Sequence, residues 1–242
     1  MISEPLWVYL GLFKEGLAAV AKYRKCGFID TAGNVVIDLQ WDYALGFSEG
    51  FAAVENDGQW GFIDKTGNVV IDLQWDSVFW FAEGFAAVGK NEKWGYIDTK
   101  GNVVIELQWD NASVFNEGLA AVEKNGKWGN IDTKGNVVVG LRWDDEPYFI
   151  NGFASVEKDG KWGFIDALGN IVIELQWDSA GHFYEGLAAV EKDGQWGFID
   201  TTGNVAVAIQ WDEVFPAFSE GRVRVQKDGA WFVIDREGNI IE

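Results

Sequence analysis

Apolar and polar positions recur along this chain in one string of about 34 positions, repeated from end to end. Over residues 183–211 the string is apolar on both alternations in GLAAVE, polar in KDGQ, apolar again in QWGFID, polar in TTGN, then alternating in NVAVAIQW. Period-two segments between turn signals predict three strands, A, B and C, with no helix. Asp193-Gly194 between A and B is a type I′ hairpin signal, because both residue types accept positive φ. In strand A, Leu187 and Ala189 face one side, Ala188 and Val190 the other. In strand B, Trp196 and Phe198 oppose Gly197 and Ile199. In strand C, Val205, Val207, Ile209 and Trp211 share a face. A sheet that is apolar on both sides must be covered on both sides. One unit is too small to do this alone, so neighbouring copies must cover one another. The Gly after the strand-B Trp is expected to make room for a large neighbour, such as the next unit's Trp.

Tryptophan spacing gives the length of the repeat. Trp7, Trp41, Trp75, Trp109, Trp143, Trp177 and Trp211 are each 34 residues apart, and so are Trp60, Trp94, Trp128, Trp162 and Trp196. Trp231 continues the second series after one extra residue near Pro216, and Cys26 takes the Trp position in the first unit. One repeat domain therefore spans 1–242, in units of approximately 6–39, 40–73, 74–107, 108–141, 142–175, 176–209 and 210–242. If every strand A points the same way, three antiparallel strands finish at the wrong edge. The segment WDSAGHFYE (177–185) must then carry a fourth pass, and nine residues reach about 30 Å, enough for one crossing. The expected fold class is all-β: seven tandem antiparallel β-meander repeats. An open β-solenoid-like stack is favoured over a seven-bladed β-propeller-like ring, because the end units look like caps. In the last unit Arg222 and Arg224 replace apolar residues of strand A, and that face should be open to water.

Segments such as FSEGFAAVENDGQWGFIDKTGNVVI (47–71) and FYEGLAAVEKDGQWGFIDTTGNVAV (183–207) carry an E-G-L-A-x-V strand, a polar turn, W-G-[FY]-I-D and G-N-x-V. On these motifs the chain resembles the WG-repeat (KWG-repeat) family over essentially its whole length. The stretch after strand C departs from the family pattern, reading DLQWD or ELQWD where a Pro-containing linker often stands. The resemblance implies a bacterial tandem β-repeat protein and supplies a fold class more than a function.

Composition narrows the function classes. A net charge of −19 repels nucleic acid and anionic membranes, and is compatible with basic proteins, cations or neutral sugars. Cys26 is the only cysteine, so no intrachain disulfide is expected. The start, MISEPLWVYLGLF, has no basic n-region, carries Glu4 and Pro5, and is too short for a membrane span. A cytoplasmic location is the expectation.

Candidate chemistry is sparse. His182 is the only histidine, and no base–nucleophile pair or zinc set is visible around it. No phosphate-binding glycine loop occurs. Neither catalysis nor a cofactor nor a metal is expected. Asp30, Asp64, Asp98, Asp132, Asp166, Asp200 and Asp235 each end strand B, where a turn cap explains them better than calcium. The pairs Trp41-Asp42, Trp75-Asp76, Trp109-Asp110, Trp143-Asp144, Trp177-Asp178 and Trp211-Asp212 are the candidate ligand-binding residues. An indole beside a carboxylate suits a sugar, a cation or a peptide. The competing reading is that Trp closes the strand-C face and Asp caps the next turn. The second series, Trp60 to Trp231, is expected in the core. The densest departures from the repeat are Arg142, Asp145-Glu146-Pro147-Tyr148 and Asn151 in the fifth unit, with Asn130 just before. The expected function is a non-enzymatic repeat scaffold or binding module showing an acidic and aromatic surface to a protein or extended ligand. The alternative is a lectin-like carbohydrate binder using the Trp-Asp pairs.

Overall fold

Two-residue turns at fixed intervals fold this chain back on itself. A computed structural model describes residues 7–242; the reading of Glu4 and Pro5 lies outside those residues. Asp193 and Gly194 both have positive φ, 52° and 78°, as the type I′ turn requires. Strand A (Leu187–Lys192) and strand B (Gln195–Asp200) pair antiparallel around it, with Leu187 opposite Asp200 and Lys192 opposite Gln195. Strand C (Val205–Trp211) pairs with B on the other side. The fourth pass is present, and it joins the following repeat's sheet beside strand A. Ser179 pairs with Glu191 and Ala180 with Val190 here, as Tyr43 with Glu55 and Ala44 with Val54 earlier in the chain. The sheet order is edge–A–B–C, and the described residues form seven such antiparallel sheets of three or four strands, with no helix.

The chain divides into two compact units. One runs to Ala120 and takes in Thr133–Gly135; the other comprises Ala121–Asp132 and Asn136–Glu242. Within each, strands A and B are buried on both faces, as their composition requires. Ala52, Val54, Phe62 and Ile63 in the first unit, and Ala188, Val190, Phe198 and Ile199 in the second, are fully buried. Successive sheets meet at the turn after strand B. A Cβ at Gly67 would lie 3.2 Å from Ile37 of the preceding strand C, and one at Gly203 would lie 3.4 Å from Ile173. Arg222 and Arg224 of the last sheet are exposed, as expected of that face.

The glycine after the strand-B Trp has a different role from the one its small size suggests in the sequence. Strand C bulges past it, since the B–C register shifts between Trp94 and Tyr96 and again between Tyr96 and Ile97. A Cβ at Gly95 would stand 2.5 Å from the Ile105 carbonyl oxygen, and one at Gly61 2.5 Å from that of Ile71. The glycine therefore admits its own sheet's strand-C backbone, not a neighbour's indole.

A second positive-φ pair joins each edge strand to strand A. Glu49-Gly50 and Glu83-Gly84 have φ of 52° and 85°, and 52° and 82°. These glutamates are held where they are by the next repeat. The Gly50 amide donates to Glu15 at 3.1 Å and the Gly84 amide to Glu49 at 2.9 Å. In the second unit the Gly221 amide donates to Glu185 at 2.9 Å. A carboxylate accepting from a backbone amide in the next turn is a charge-assisted link between sheets.

Candidate functional site

The six Trp-Asp pairs sit at the end of strand C, and their two halves diverge. The indoles of Trp41, Trp75, Trp109, Trp143, Trp177 and Trp211 are buried, with 1–7% exposure. Lys90 lies over Trp75 at 5.9 Å, Lys192 over Trp177 at 5.8 Å and Lys227 over Trp211 at 5.8 Å. The ring nitrogens of Trp41, Trp75, Trp143, Trp177 and Trp211 are buried without a hydrogen-bond partner. Removing about 200 Å² of indole from water stabilises by roughly 5 kcal/mol, against about 1–3 kcal/mol for one unpaired N–H. Burial therefore wins, and no open indole face remains for a sugar to stack on.

The aspartates bind protein instead. Asp42 accepts from the Lys25 ammonium at 2.7 Å and from the Asp57 amide at 3.1 Å. Asp110 accepts from Lys93 at 2.5 Å. Lys127 reaches Asp144 and Lys161 reaches Asp178 in the same way. The Asp159 and Asp193 amides, both in the next A–B hairpin, donate to these two aspartates at 2.8 Å. The lysine hydrogen bond and the turn amide lower the pKa of Asp42, Asp144 and Asp178. Each aspartate thus latches one sheet's hairpin to the next. Asp76 and Asp212 face Gln59 and Gln195 at the lysine position, and keep the amide half of the latch, from Asn91 and Asp228 at 2.7 Å.

The strand-B tryptophans, expected in the core, are only half-buried at Trp60, Trp94, Trp128, Trp162 and Trp196, and Trp231 is exposed. The strand-end aspartates do cap their turns. Asp64 accepts from the Thr66 hydroxyl at 2.6 Å and from the Thr66 and Asn68 amides, and its pKa falls to about 2, chiefly through the hydroxyl. The described residues contain no group of three or more His, Cys, Asp or Glu side chains placed to hold a metal ion.

The fifth unit breaks the pattern, and the structure brings Asp145, Glu146 and Tyr148 together, while Arg142 donates to the Gly169 carbonyl and Asn151 to that of Phe183. Elsewhere the edge strand is tied to strand A by an amide: Leu45 to Ala53, Phe79 to Ala87 and Phe215 to Arg224, each at 2.9 Å. Pro147 stands at that place and has no N–H to give. The edge strand is absent there and the sheet has three strands, Phe153–Lys158, Lys161–Asp166 and Ile171–Trp177. Asn130, buried where Phe28, Phe62, Tyr96, Phe164 and Phe198 stand in other repeats, donates to the Pro147 carbonyl at 2.9 Å. A cavity of about 330 Å³ opens beside it, lined by Asp145, Glu146, Tyr148, Ser155, Trp162 and His182. Ser155 is 6% exposed and replaces an alanine of the other strands A. The Nδ1 of His182 is buried without a hydrogen-bond partner, Tyr148 lies edge-on to its ring at 6.0 Å, and burial lowers its pKa. Asn130 and the run from Asp145 to Tyr148 stand out in the sequence as departures, but nothing there places Asp145, Glu146 and Tyr148 around one cavity with Ser155 and Trp162. Burial also raises the pKa of Cys26, opposite to what an activated thiol needs.

Comparison with known proteins bears on the fold. The family described as WG containing repeat matches residues 27–60, 60–94, 94–128, 128–162, 162–196 and 196–231. No curated protein sequence matches the chain. A crystal structure of the eukaryotic initiation factor is similar with a TM-score of 0.59 at 12% identity, over 95% of this chain and 73% of that one. The structure of Hsv2p from Kluyveromyces lactis gives 0.51 at 10% identity, over 96% of this chain and 97% of the other. At such identities the likeness concerns the fold alone. No helix among the described residues is long and apolar enough to cross a membrane.

Proposed function

The chain belongs to the WG-repeat family, which fixes a β-repeat fold and leaves the activity open, and on that premise we propose that it is a non-enzymatic binding scaffold for a protein partner in extended form. The observation that carries this reading is the outer edge of the sheets. Strand C is the last strand of each sheet that contains it, and its first two residues are exposed: Val35 and Val36, Val69 and Val70, Val103 and Val104, Ile171 and Val172. An exposed carboxylate follows two positions later, at Asp38, Asp72, Glu106 and Glu174. An edge strand offers unpaired backbone groups to an added strand. Apolar pairs followed by carboxylates favour an added segment that alternates apolar and cationic residues. The net charge of −19 draws such a segment in. The expectation that the Trp-Asp pairs hold a sugar finds no support in buried indoles and latched aspartates.

Two synthetic peptides test the reading, one alternating Val with Lys and one alternating Val with Glu, measured by biolayer interferometry with hydrogen exchange on the protein. The lysine peptide should bind and protect strand-C amides, and Asp72→Lys with Glu106→Lys should weaken it. Binding of neither peptide, together with hits on a glycan array, would replace the protein scaffold with the carbohydrate binder.

A further inference from the structure

The cavity in the fifth unit has an internal precedent for its occupant. Aligned by repeat, Ser155 corresponds to Arg224, Trp162 to Trp231 and Pro147 to Phe215. In the last sheet the Arg224 guanidinium lies 5.3 Å from the Phe215 ring and 5.3 Å from the Trp231 ring. The same strand-B indole position thus carries a cation supplied by strand A. In the third sheet it is covered by a ring instead, with Phe79 5.5 Å from Trp94. The fifth sheet has neither filler: Ser155 stands where the last sheet has Arg224 and the others alanine, Pro147 stands where Phe79 and Phe215 do, and the space beside Trp162 is the cavity of about 330 Å³.

Its walls have gained the opposite charge. Glu146 stands where other repeats have Ala44, Val78, Ala112, Ala180 and Val214, and Asp145 precedes it. Among the described residues neither carboxylate is in an ion pair. Asp145 accepts only the neighbouring Glu146 amide, at 2.9 Å. We propose that this cavity, between Trp162, Glu146, Asp145, Tyr148 and Ser155, binds an organic ammonium group. The indole face and the carboxylates attract the charge together, as an aromatic site with acidic walls does. The volume lies at the small end of ligand pockets, about 300–1,000 Å³, and suits a head group rather than a large molecule. Burial keeps the His182 imidazole in its neutral form near pH 7, so it adds no competing charge. This inference concerns a different place from the strand-C edges and does not depend on them.

The test uses choline and n-butylammonium as probes, with an N-acetyl-lysine methylamide arm for a side-chain source and glucose as the neutral control. Saturation-transfer NMR and calorimetric titration read the binding. Both ammonium probes should bind and glucose should not. Binding of the lysine derivative more tightly than choline would assign the site to a protein side chain, and the reverse order to a free quaternary amine; either supports the ammonium pocket. Glu146→Ala installs the residue that three other repeats carry, so folding should be retained, as a melting curve will show. It should weaken ammonium binding about tenfold or more, the usual worth of a charge-assisted contact. Trp162→Phe keeps an apolar ring with a weaker field and should weaken binding about threefold or more. No ammonium binding to the wild-type protein up to about 10 mM, unchanged binding in a folded Glu146→Ala variant, or glucose binding as well as choline, each overturns the proposal.

Discussion

Replacing Gly95 by alanine tests the account of the WG glycine. Its φ is not in the left-handed region, so backbone freedom is not what requires glycine there. The obstacle is proximity: a Cβ would meet the Ile105 carbonyl oxygen at 2.5 Å, with the Glu106 carbonyl carbon and the Leu107 nitrogen at 2.9 Å. All three are backbone atoms of strand C, so no side chain can swing aside. Overpacking of a well-filled site costs about 1–3 kcal/mol, and a backbone obstacle puts Gly95→Ala near the top, about 3 kcal/mol. At about 2–4 °C per kcal/mol for a chain of this size, the melting temperature should fall by roughly 6–12 °C. Gly140→Ala is the control. It sits in strand C with no atom within 4 Å of the place a Cβ would take, and Ala208 occupies the same position in a later repeat. It should be neutral or gain about 0.5–1 kcal/mol from the lower entropy of alanine. Thermal melts followed by circular dichroism at 218 nm (about the β-sheet minimum) and urea titrations decide the matter. A Gly95→Ala variant as stable as wild type, or equal losses at both glycines, would refute the strand-C clash.

Three further outcomes follow from the same geometry. Trp109→Ala, at a side chain with 3% exposure, should cost about 3–5 kcal/mol in urea titrations, and half-buried Trp128→Ala distinctly less. Glu92 holds φ of 61° at a hairpin position where Gly58, Gly126, Gly160 and Gly194 stand in other repeats; Glu92→Gly should raise stability by about 1 kcal/mol, read as a higher urea midpoint. The turn-capping aspartates, Asp30, Asp64, Asp98, Asp166, Asp200 and Asp235, have folded pKa values below the ordinary one, Asp64 at about 2. Their stabilisation is complete above the unfolded value near 3.9 and lost as pH falls toward the folded one, so the melting temperature should hold from pH 7 to about pH 4 and drop below it. Asp64→Asn should flatten that drop.

Much of the fold is legible in the sequence because each feature is local and repeated. The turn at Asp193-Gly194 and the strands beside it follow from two residues and an alternation. The capping role of Asp64 follows from its place before T-G-N. The burial of the two tryptophan series does not follow, for a physical reason. Trp196 and Trp211 pair directly across strands B and C, so period two puts both on apolar faces. Both indoles pack on the same cluster, yet Trp211 is buried and Trp196 only half-buried, a difference that no residue pattern announces. The second positive-φ turn is hidden too. Glutamate is unfavourable at positive φ, and nothing in E-G reveals that the carboxylate reaches the amide of a turn 35 residues further on.

The fifth unit shows how a regular array acquires a particular site. A substitution in one copy has many controls, since the other copies state what that position holds when only packing matters. Judged singly, Asn130, Pro147, Glu146 and Ser155 are minor polar changes at apolar places. Taken together they form a causal chain. Proline removes the amide that pins the edge strand, and asparagine, in place of a large ring, holds the Pro147 carbonyl at 2.9 Å. The cavity beside them is faced with the Asp145 and Glu146 carboxylates, exposed and half-buried, and with the Tyr148 and Ser155 hydroxyls. Polar groups open to water stay solvated and cost little; the lining atom that does cost is the buried Nδ1 of His182, which has no hydrogen-bond partner. Carboxylates gathered beside an indole on one cavity, in an array whose other copies carry an apolar residue, mostly Ala or Val, at the Glu146 position, point to a ligand of the opposite charge.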